Sequence, residues 1–292
     1  MSTSLRGRLA AAAVAAAATS TTARMLRRWP PGGRDRWTRT NHAGRPVTLL
    51  EGPAYVLGAA AGSFLSGSRA GVVAVVGAGA LGALDDLAGD ASSRGLRGHL
   101  SALGRGQVTT GAGKVLGLAV TGVLAAALVG ADRDPTAVRA NRAAAVDVLL
   151  GCSVVAGTAN LVNLLDLRPG RALKATLLLG AAMSLTGSTA SGASIASASV
   201  AVGSAAAALR DDLAGASMLG DTGANAAGAL LGVALVERWG RAGQLVALGV
   251  LTALTLASER VSFTAVIEST PVLRELDAWG RPSGHPRGEA LA

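Results

Sequence analysis

Acidic residues stand at the ends of long apolar runs in this sequence, and the first group is the pair Asp85-Asp86. Neighbouring positions of a helix point about 100° apart, so two adjacent carboxylates take different roles. One can hold a divalent cation while the other meets a substrate. Carboxylate oxygens suit Mg²⁺, which binds through one or two carboxylates together with substrate phosphates. The alternative is a pair of solvated acids at the start of a loop.

A second group is the segment NLVNLLD, in which Asn160, Asn163 and Asp166 are spaced three residues apart. This spacing places all three side chains on one face of a helix. Amide and acid groups in an apolar helix are costly unless they are paired or hydrated. The segment therefore predicts a surface that binds a polar ligand.

Cations follow this segment at once, because LRPGRALK contains Arg168, Arg171 and Lys174. Guanidinium groups match the geometry of phosphate oxygens, so these residues are candidates for binding a phosphorylated substrate. Lys114, near the start of the apolar run at 112–130, is a weaker candidate for the same task. Ordinary anchoring of the chain at a membrane surface is the alternative, most of all for Lys174.

The third group is MLGDTGAN, in which Gly220 and Gly223 flank Asp221. The glycines permit a tight turn, and an apolar run follows directly. The N–H groups at the start of a helix bind phosphate, so this turn is a candidate phosphate site. The alternative is that Asp221 simply caps its own helix.

The elements that position these residues are predicted to be membrane helices. Half of the 292 residues are hydrophobic and 15% are charged, below the roughly 25% of soluble domains. Mean hydropathy is +0.43. Apolar runs of about 20 residues, long enough to cross a bilayer, recur along the chain. We therefore predict an all-α, polytopic bundle of about nine spans, near 5–23, 49–66, 70–87, 112–130, 143–161, 172–187, 190–209, 219–236 and 242–257.

Charge predicts the orientation of these spans. The net charge of +9 is explained better by positive residues in cytoplasmic loops than by nucleic-acid binding. Arginine and lysine concentrate in alternate connections, so the N-terminus is predicted outside and the C-terminus inside. Residues 5–23 are predicted to be the first span rather than a signal peptide, because dense arginines follow them. Residues 1–257 then form the transmembrane catalytic domain and 258–292 a cytoplasmic tail. All three acidic groups fall at cytoplasmic helix ends.

The order DD, NxxNxxD and GDTG resembles the polyprenyl-phosphate N-acetylhexosamine-1-phosphate transferases, glycosyltransferase family 4. Relatives include the phospho-MurNAc-pentapeptide transferase of peptidoglycan synthesis and the GlcNAc-1-phosphate transferases of other wall polymers. The resemblance implies Mg²⁺-dependent (or Mn²⁺-dependent) transfer of a sugar-1-phosphate from a UDP-N-acetylhexosamine to a polyprenyl phosphate, with release of UMP. It implies a plasma-membrane enzyme of cell-envelope synthesis with a cytoplasmic active site, and it is compatible with a homodimer.

The resemblance also implies roles for individual residues. The catalytic acids would be Asp85, Asp86 and Asp166, with Asp85 the expected proton acceptor, and Asp221 with Asp86 would bind the metal. Substrate contacts would come from the remaining residues of the three groups and the nearby cations: Lys114, Asn160, Asn163, Arg168, Arg171, Lys174, Gly220, Thr222 and Gly223.

Two departures and one repeat shape the expectation. Gly89 stands where relatives often carry an acid or lysine, and the histidine-rich loop of the peptidoglycan enzyme is missing. A compact relative with another donor sugar is therefore expected. The second DDLAG, at 211–215, is predicted to be coincidental loop acid.

Other functions are also open. A CDP-alcohol phosphotransferase would need a DGxxAR run, which the sequence lacks. A homologue without turnover, acting as a lipid-linked sugar binder, scaffold or transporter, remains the alternative.

Overall fold

The computed structural model describes residues 5–41, 44–88, 110–133, 142–185 and 192–282. Eleven helices account for most of these residues. They are α1 (Leu5–Arg28), α2 (Glu51–Leu65), α3 (Arg69–Ala88), α4 (Thr110–Arg133), α5 (Arg142–Leu165), α6 (Arg171–Leu185), α7 (Gly192–Leu213), α8 (Gly220–Arg238), α9 (Arg241–Ser258), α10 (Phe263–Ser269) and α11 (Pro271–Ala278).

Each of the nine predicted spans coincides with one helix, from α1 to α9. Five described helices are long and apolar enough to cross a membrane, namely α1, α3, α4, α5 and α9. The other four are shorter or richer in small and polar residues. The helical architecture is confirmed, whereas nine membrane crossings remain a prediction.

One small β-structure interrupts the predicted all-α architecture. Strand β1 (Thr38–Thr40) pairs antiparallel with β2 (Pro46–Thr48) in the loop between α1 and α2. β-branched residues in both strands favour extended backbone. Thr48 continues the pairing beyond the hairpin, because its carbonyl accepts a hydrogen bond from the N–H of Met218 at 3.1 Å. The loop is thereby tied to the segment that precedes α8.

Helix α8 is the centre of the bundle. It contacts α2, α3, α4, α5, α6 and α7, and nearly all of its residues are buried. Small residues allow the close approach: a Cβ at Gly228 would lie 2.4 Å from the carbonyl oxygen of Thr158, and one at Gly232 would lie 2.7 Å from the Cα of Val155. Gly- and Ala-rich surfaces of this kind bring helix backbones together.

The connections gather alternately at two ends of the bundle, as predicted. At one end, the α1 residue Arg27 pairs with Asp211, and the N–H of Gly170 donates to Asp212. At the opposite end, Arg241 pairs with Asp147. The alternation is confirmed for the described connections. Which compartment each end faces remains a prediction.

The tail is structured over its described part. Helices α10 and α11, together called the C-terminal helical pair, follow α9 after only four residues. The hydroxyl of Ser262 caps α10 by accepting from the N–H of Ala265. Pro271 stands at the start of α11, where its missing N–H costs nothing.

The close contact between α3 and α8 predicts that adding a single methyl group at Gly82 lowers the stability of the protein. A Cβ at Gly82 would lie 2.2 Å from the carbonyl oxygen of Asp221, so both helix backbones must shift. We expect Gly82→Ala to destabilise the protein by at least about 1–3 kcal/mol. Gly249→Ala is the matched control, since its Cβ meets nothing within 4 Å and alanine favours a helix by about 0.5–1 kcal/mol. Melting temperatures in detergent compare the two, and equal values would contradict the close contact.

Candidate functional site

The carboxylate of Asp86 closes the N-terminus of the central helix. Its Oδ1 accepts the N–H of Asp221 at 3.1 Å, and its Oδ2 accepts the N–H of Thr222 at 2.9 Å. Oδ2 also accepts the Thr222 hydroxyl at 2.6 Å. The first N–H groups of any helix lack partners within it, and a negative charge there is favourable. Asp86 therefore caps α8 from another helix.

Backbone geometry around this cap requires glycine. Gly220 has a φ of +59°, a conformation in which side chains are strained. A Cβ there would also lie 2.9 Å from Oδ2 of Asp86. Arg39 of β1 donates to the carbonyl oxygen of Asp86 and fixes the end of α3 from the other side. The two predicted groups DD and GDTG are thus one structural unit.

The remaining acids of these groups lie at the same end of the bundle. Asp85 and Asp221 are half-buried. Asp221 does not cap its own helix, since Leu219 is the N-cap residue and the capping carboxylate belongs to Asp86. The alternative that Asp85-Asp86 is a solvated loop pair is wrong for Asp86. Both aspartates lie within α3, and the Asp86 carboxylate is hydrogen-bonded.

The second predicted group meets the first through Asp166. Burial raises the pKa of Asp166 well above its usual range, and the neighbouring carboxylates of Asp212, Asp221 and Asp86 raise it further, against a hydrogen bond from the Gly220 N–H. Repulsion between like charges acts over short distances, so these carboxylates share one region. Displaced carboxyl pKa values of this kind are typical of functional sites.

The two asparagines of the second group differ in their surroundings. Asn160 donates from Nδ2 to the hydroxyl of Thr255 on α9 at 3.3 Å, so its amide links two helices. Asn163 is half-buried one turn further along, and its backbone carbonyl oxygen accepts a hydrogen bond from the N–H of Asp166. Asn163 lies one turn from Asp166 and Asn160 lies two turns away, so Asn163 is the nearer of the two to the acids.

Two buried acids, Glu51 and Asp212, were not among the predicted site residues. The first residue of α2, Glu51, accepts a hydrogen bond from the Ser217 hydroxyl, while its Oε1 is buried with no hydrogen-bond partner among the described residues. Asp212 is 2% exposed, and its Oδ2 is likewise unpartnered within the described part of the chain. The prediction of a coincidental loop acid is wrong for Asp212, which lies in the last turn of α7. The repeated DDLAG was the available signal.

The predicted phosphate-binding cations contact the C-terminal helical pair instead. Buried Arg171 forms a two-pronged ion pair with Asp277, at 2.8 Å from Nε to Oδ1 and 3.2 Å from Nη2 to Oδ2. Arg168 pairs with Glu268 at 3.2 Å. The Nζ of Lys174 donates to the carbonyl oxygens at the end of α11, those of Leu276, Asp277 and Trp279.

These contacts make Lys174 a C-terminal cap of α11, because cations complement the unpaired carbonyls at a helix end. Membrane anchoring alone, the alternative for Lys174, does not describe its geometry. Burial would raise the pKa of Asp277, but Arg171 and Arg281 outweigh it and hold that pKa below its usual range.

A cavity of about 220 Å³ opens beside the acids rather than among them. Two arginines, two threonines and a leucine line it, namely Arg27, Arg34, Thr38, Thr48 and Leu50. Arg27 in this lining pairs with Asp211, next to the buried Asp212.

Metal binding rests on fewer protein ligands than a complete cage. Among the described residues, no three acidic, histidine or cysteine side chains converge on one point. Magnesium commonly binds through one or two carboxylates plus substrate phosphates, so this arrangement is compatible with it. Gly89 and the side chain of Lys114 lie outside the described residues.

No family model and no curated protein matches this chain. Membership in the transferase family is therefore a proposal based on three motifs and their geometry.

Removing the cap tests its structural role. Asp86→Ala leaves two N–H groups and one hydroxyl at the start of α8 without their acceptor, so we expect the free energy of unfolding to fall by about 2 kcal/mol or more. The control is Asp132→Ala at the opposite end, whose exposed pair with Arg69 contributes at most about 1 kcal/mol. Thermal unfolding of both variants decides the matter, and a loss no larger for Asp86→Ala would count against the cap.

Breaking the Arg171–Asp277 pair tests the docking of the helical pair. Removing one partner of a buried ion pair costs about 3–5 kcal/mol. Asp277→Asn should therefore release the C-terminal helical pair from the bundle. Faster protease cleavage between residues 259 and 262 measures this release. The exposed Glu275→Gln is the matched control.

Low pH should release the C-terminal helical pair of the wild-type protein in the same way, by protonating Asp277. The lowered pKa of Asp277 means that its contribution is complete above the usual carboxyl pKa of about 4. The contribution is lost only as pH falls through the lower folded value. Cleavage of wild-type protein that rises already between pH 7 and 5 would contradict this assignment.

Proposed function

We propose that this protein is a membrane-embedded transferase that moves a sugar-1-phosphate from a UDP-N-acetylhexosamine to a polyprenyl phosphate. The observation that supports it most is the convergence of the DD, NxxNxxD and GDTG groups at one end of a helical bundle. The reaction joins a phosphate oxygen of the lipid to the sugar-bearing phosphorus and breaks its bond to UMP. Atoms and charge balance without a further reactant.

Access for a lipid substrate is compatible with the position of Asp85. The neighbouring Leu84 is 65% exposed, on the side of α3 that would face lipid. A polyprenyl phosphate can therefore reach the end of α3 from the bilayer, while the nucleotide arrives from the aqueous side. Asp85 is the proposed acceptor of a proton from the lipid phosphate.

The acids also fit a divalent cation. Two buried carboxylate oxygens, on Glu51 and Asp212, have no hydrogen bond among the described residues. Asp221 stands in the turn that Asp86 holds by three hydrogen bonds, and it is the proposed ligand. Magnesium, when bound, would neutralise charge that develops on the transferred phosphate. Asp86 would then act by holding the Asp221 turn in place.

Arg171 and Lys174 enter this proposal as positioning residues. Their polar atoms are engaged by the C-terminal helical pair, so they hold the turn between α5 and α6 rather than a phosphate. This turn begins with Asp166. Among the predicted cations, the partly exposed Arg168 is better placed for a direct contact with substrate.

A binding protein without turnover is the second candidate. The engagement of the Asp86 carboxylate in capping α8 favours this candidate. Such a protein would bind lipid-linked sugars as a scaffold or transporter.

UMP release distinguishes the two functions. Purified protein is given Mg²⁺, polyprenyl phosphate and a panel of UDP-N-acetylhexosamines that includes the MurNAc-pentapeptide donor. We expect turnover with one donor, loss of that turnover when EDTA removes the metal ion, and at least about a 100-fold lower rate in Asp221→Asn. Asp147→Asn is the control, because it changes an exposed acid at the opposite end. Full activity in Asp221→Asn would refute the site, and stoichiometric lipid binding without turnover would favour the binding function.

A further inference from the structure

The C-terminal helical pair shows an apolar side that no described residue covers. Val272 and Leu276 stand one turn apart on α11 and are 68% and 50% exposed. Trp279 directly follows the helix and is 74% exposed. Large apolar side chains in water are unfavourable by about 25 cal/mol for each Å² of apolar surface. A patch of this kind on a short helix indicates a covering partner.

The opposite side of α11 is fixed to the bundle. Asp277 lies about 140° around the helix from Val272, given 100° per residue. It is held there by Arg171 and by Arg281, which reaches it at 2.9 Å. Because the polar anchor and the apolar side point in different directions, the apolar side is turned away from the protein.

The position of the pair in the chain identifies the partner. Helix α9 is a candidate membrane span that ends at Ser258, and α10 begins at Phe263. The four residues between them reach at most about 14 Å. Leu256, near the end of α9, is also exposed. Arg171, which holds α11, and Thr255, near the end of α9, both lie at the end of the bundle where α5 finishes. The apolar side of α11 therefore lies near the level at which α9 would leave the bilayer.

We propose that the C-terminal helical pair lies in the interface of the lipid bilayer, with Val272, Leu276 and Trp279 inserted at the boundary between headgroups and acyl chains. Amphipathic helices and tryptophan favour this layer. The inference rests on the proposed membrane location of the bundle. It adds that the tail, through Arg171 and Lys174, fixes the turn that begins with Asp166 at the height of the lipid headgroups.

Apolar burial rather than charge drives this docking. Residues 259–282 contain three arginines and four carboxylates, so their net charge is −1. Anionic lipid is therefore not needed, and salt should not release the pair. A second copy of the chain is a poorer partner, because a few side chains on an eight-residue helix bury far less than the roughly 1,200 Å² of a stable interface.

Spin labels on full-length protein in phosphatidylcholine nanodiscs test the proposal. Single cysteines are introduced in a Cys152→Ala background, since Cys152 is the sole cysteine. Leu276→Cys reports the apolar side, and Arg274→Cys reports the opposite side of the same helix. Val250→Cys on the exposed surface of α9 is the bilayer reference. Accessibility to oxygen, which enriches in lipid, is compared with accessibility to a water-soluble nickel complex.

We expect the label at Leu276 to be several-fold more accessible to oxygen relative to nickel than the label at Arg274, at low and high salt alike. Equal values at the two positions, with Val250 in lipid, would overturn the inference and leave the proposed function standing. A water-exposed label at Val250 would overturn both. Spectral broadening at Leu276 that disappears on dilution with unlabelled protein would identify a second copy as the partner and also overturn it.

Discussion

The buried N-terminus of α8 is the constraint on which the rest of the structure depends. A helix that starts inside a bundle brings unpaired N–H groups into an apolar region, where each lost hydrogen bond costs about 1–3 kcal/mol. Asp86 removes this cost from a neighbouring helix. Its carboxylate can reach only because Gly82 lets α3 contact the α8 backbone directly. The cap therefore fixes the distance between the two acidic motifs.

Stability and proposed activity make opposite demands at this end of the bundle. Glu51, Asp166 and Asp212 bring carboxyl groups into one poorly solvated region, where the ionisation of one disfavours the ionisation of its neighbours. An apolar bundle gains nothing in stability from such a cluster. Repulsion of this kind is expected where a chain must attract a cation or exchange a proton. The helices that meet here, α3, α5, α7 and α8, supply enough apolar contact elsewhere to tolerate it.

The C-terminal helical pair lies at the polar end of the bundle, and its two sides interact differently with their surroundings. Its inner side is held by charge-assisted bonds to Arg171 and Lys174, whereas its outer side exposes apolar residues. A segment that is polar toward the protein and apolar away from it is inverted relative to a soluble helix. Lipid on the outer side resolves this inversion. One short turn, residues 166–170, links the C-terminal helical pair to the buried acids. The turn begins with Asp166 and leads to Arg171, which holds the helical pair.

The sequence by itself determined the helices and which of their ends share a side. The lengths of the apolar runs predicted α1 to α9, because run length is a local property of the chain. The alternation of the connections also predicted that Asp86, Asp166 and Asp221 lie at the same end of the bundle. Only the tertiary structure decided what each side chain does there. Asp86 became a cap, Asp212 became buried, and Arg171 found an ion-pair partner more than 100 residues away. These roles depend on contacts between distant segments. The residue type alone does not specify whether a carboxylate or guanidinium contacts a metal, a phosphate or a helix end.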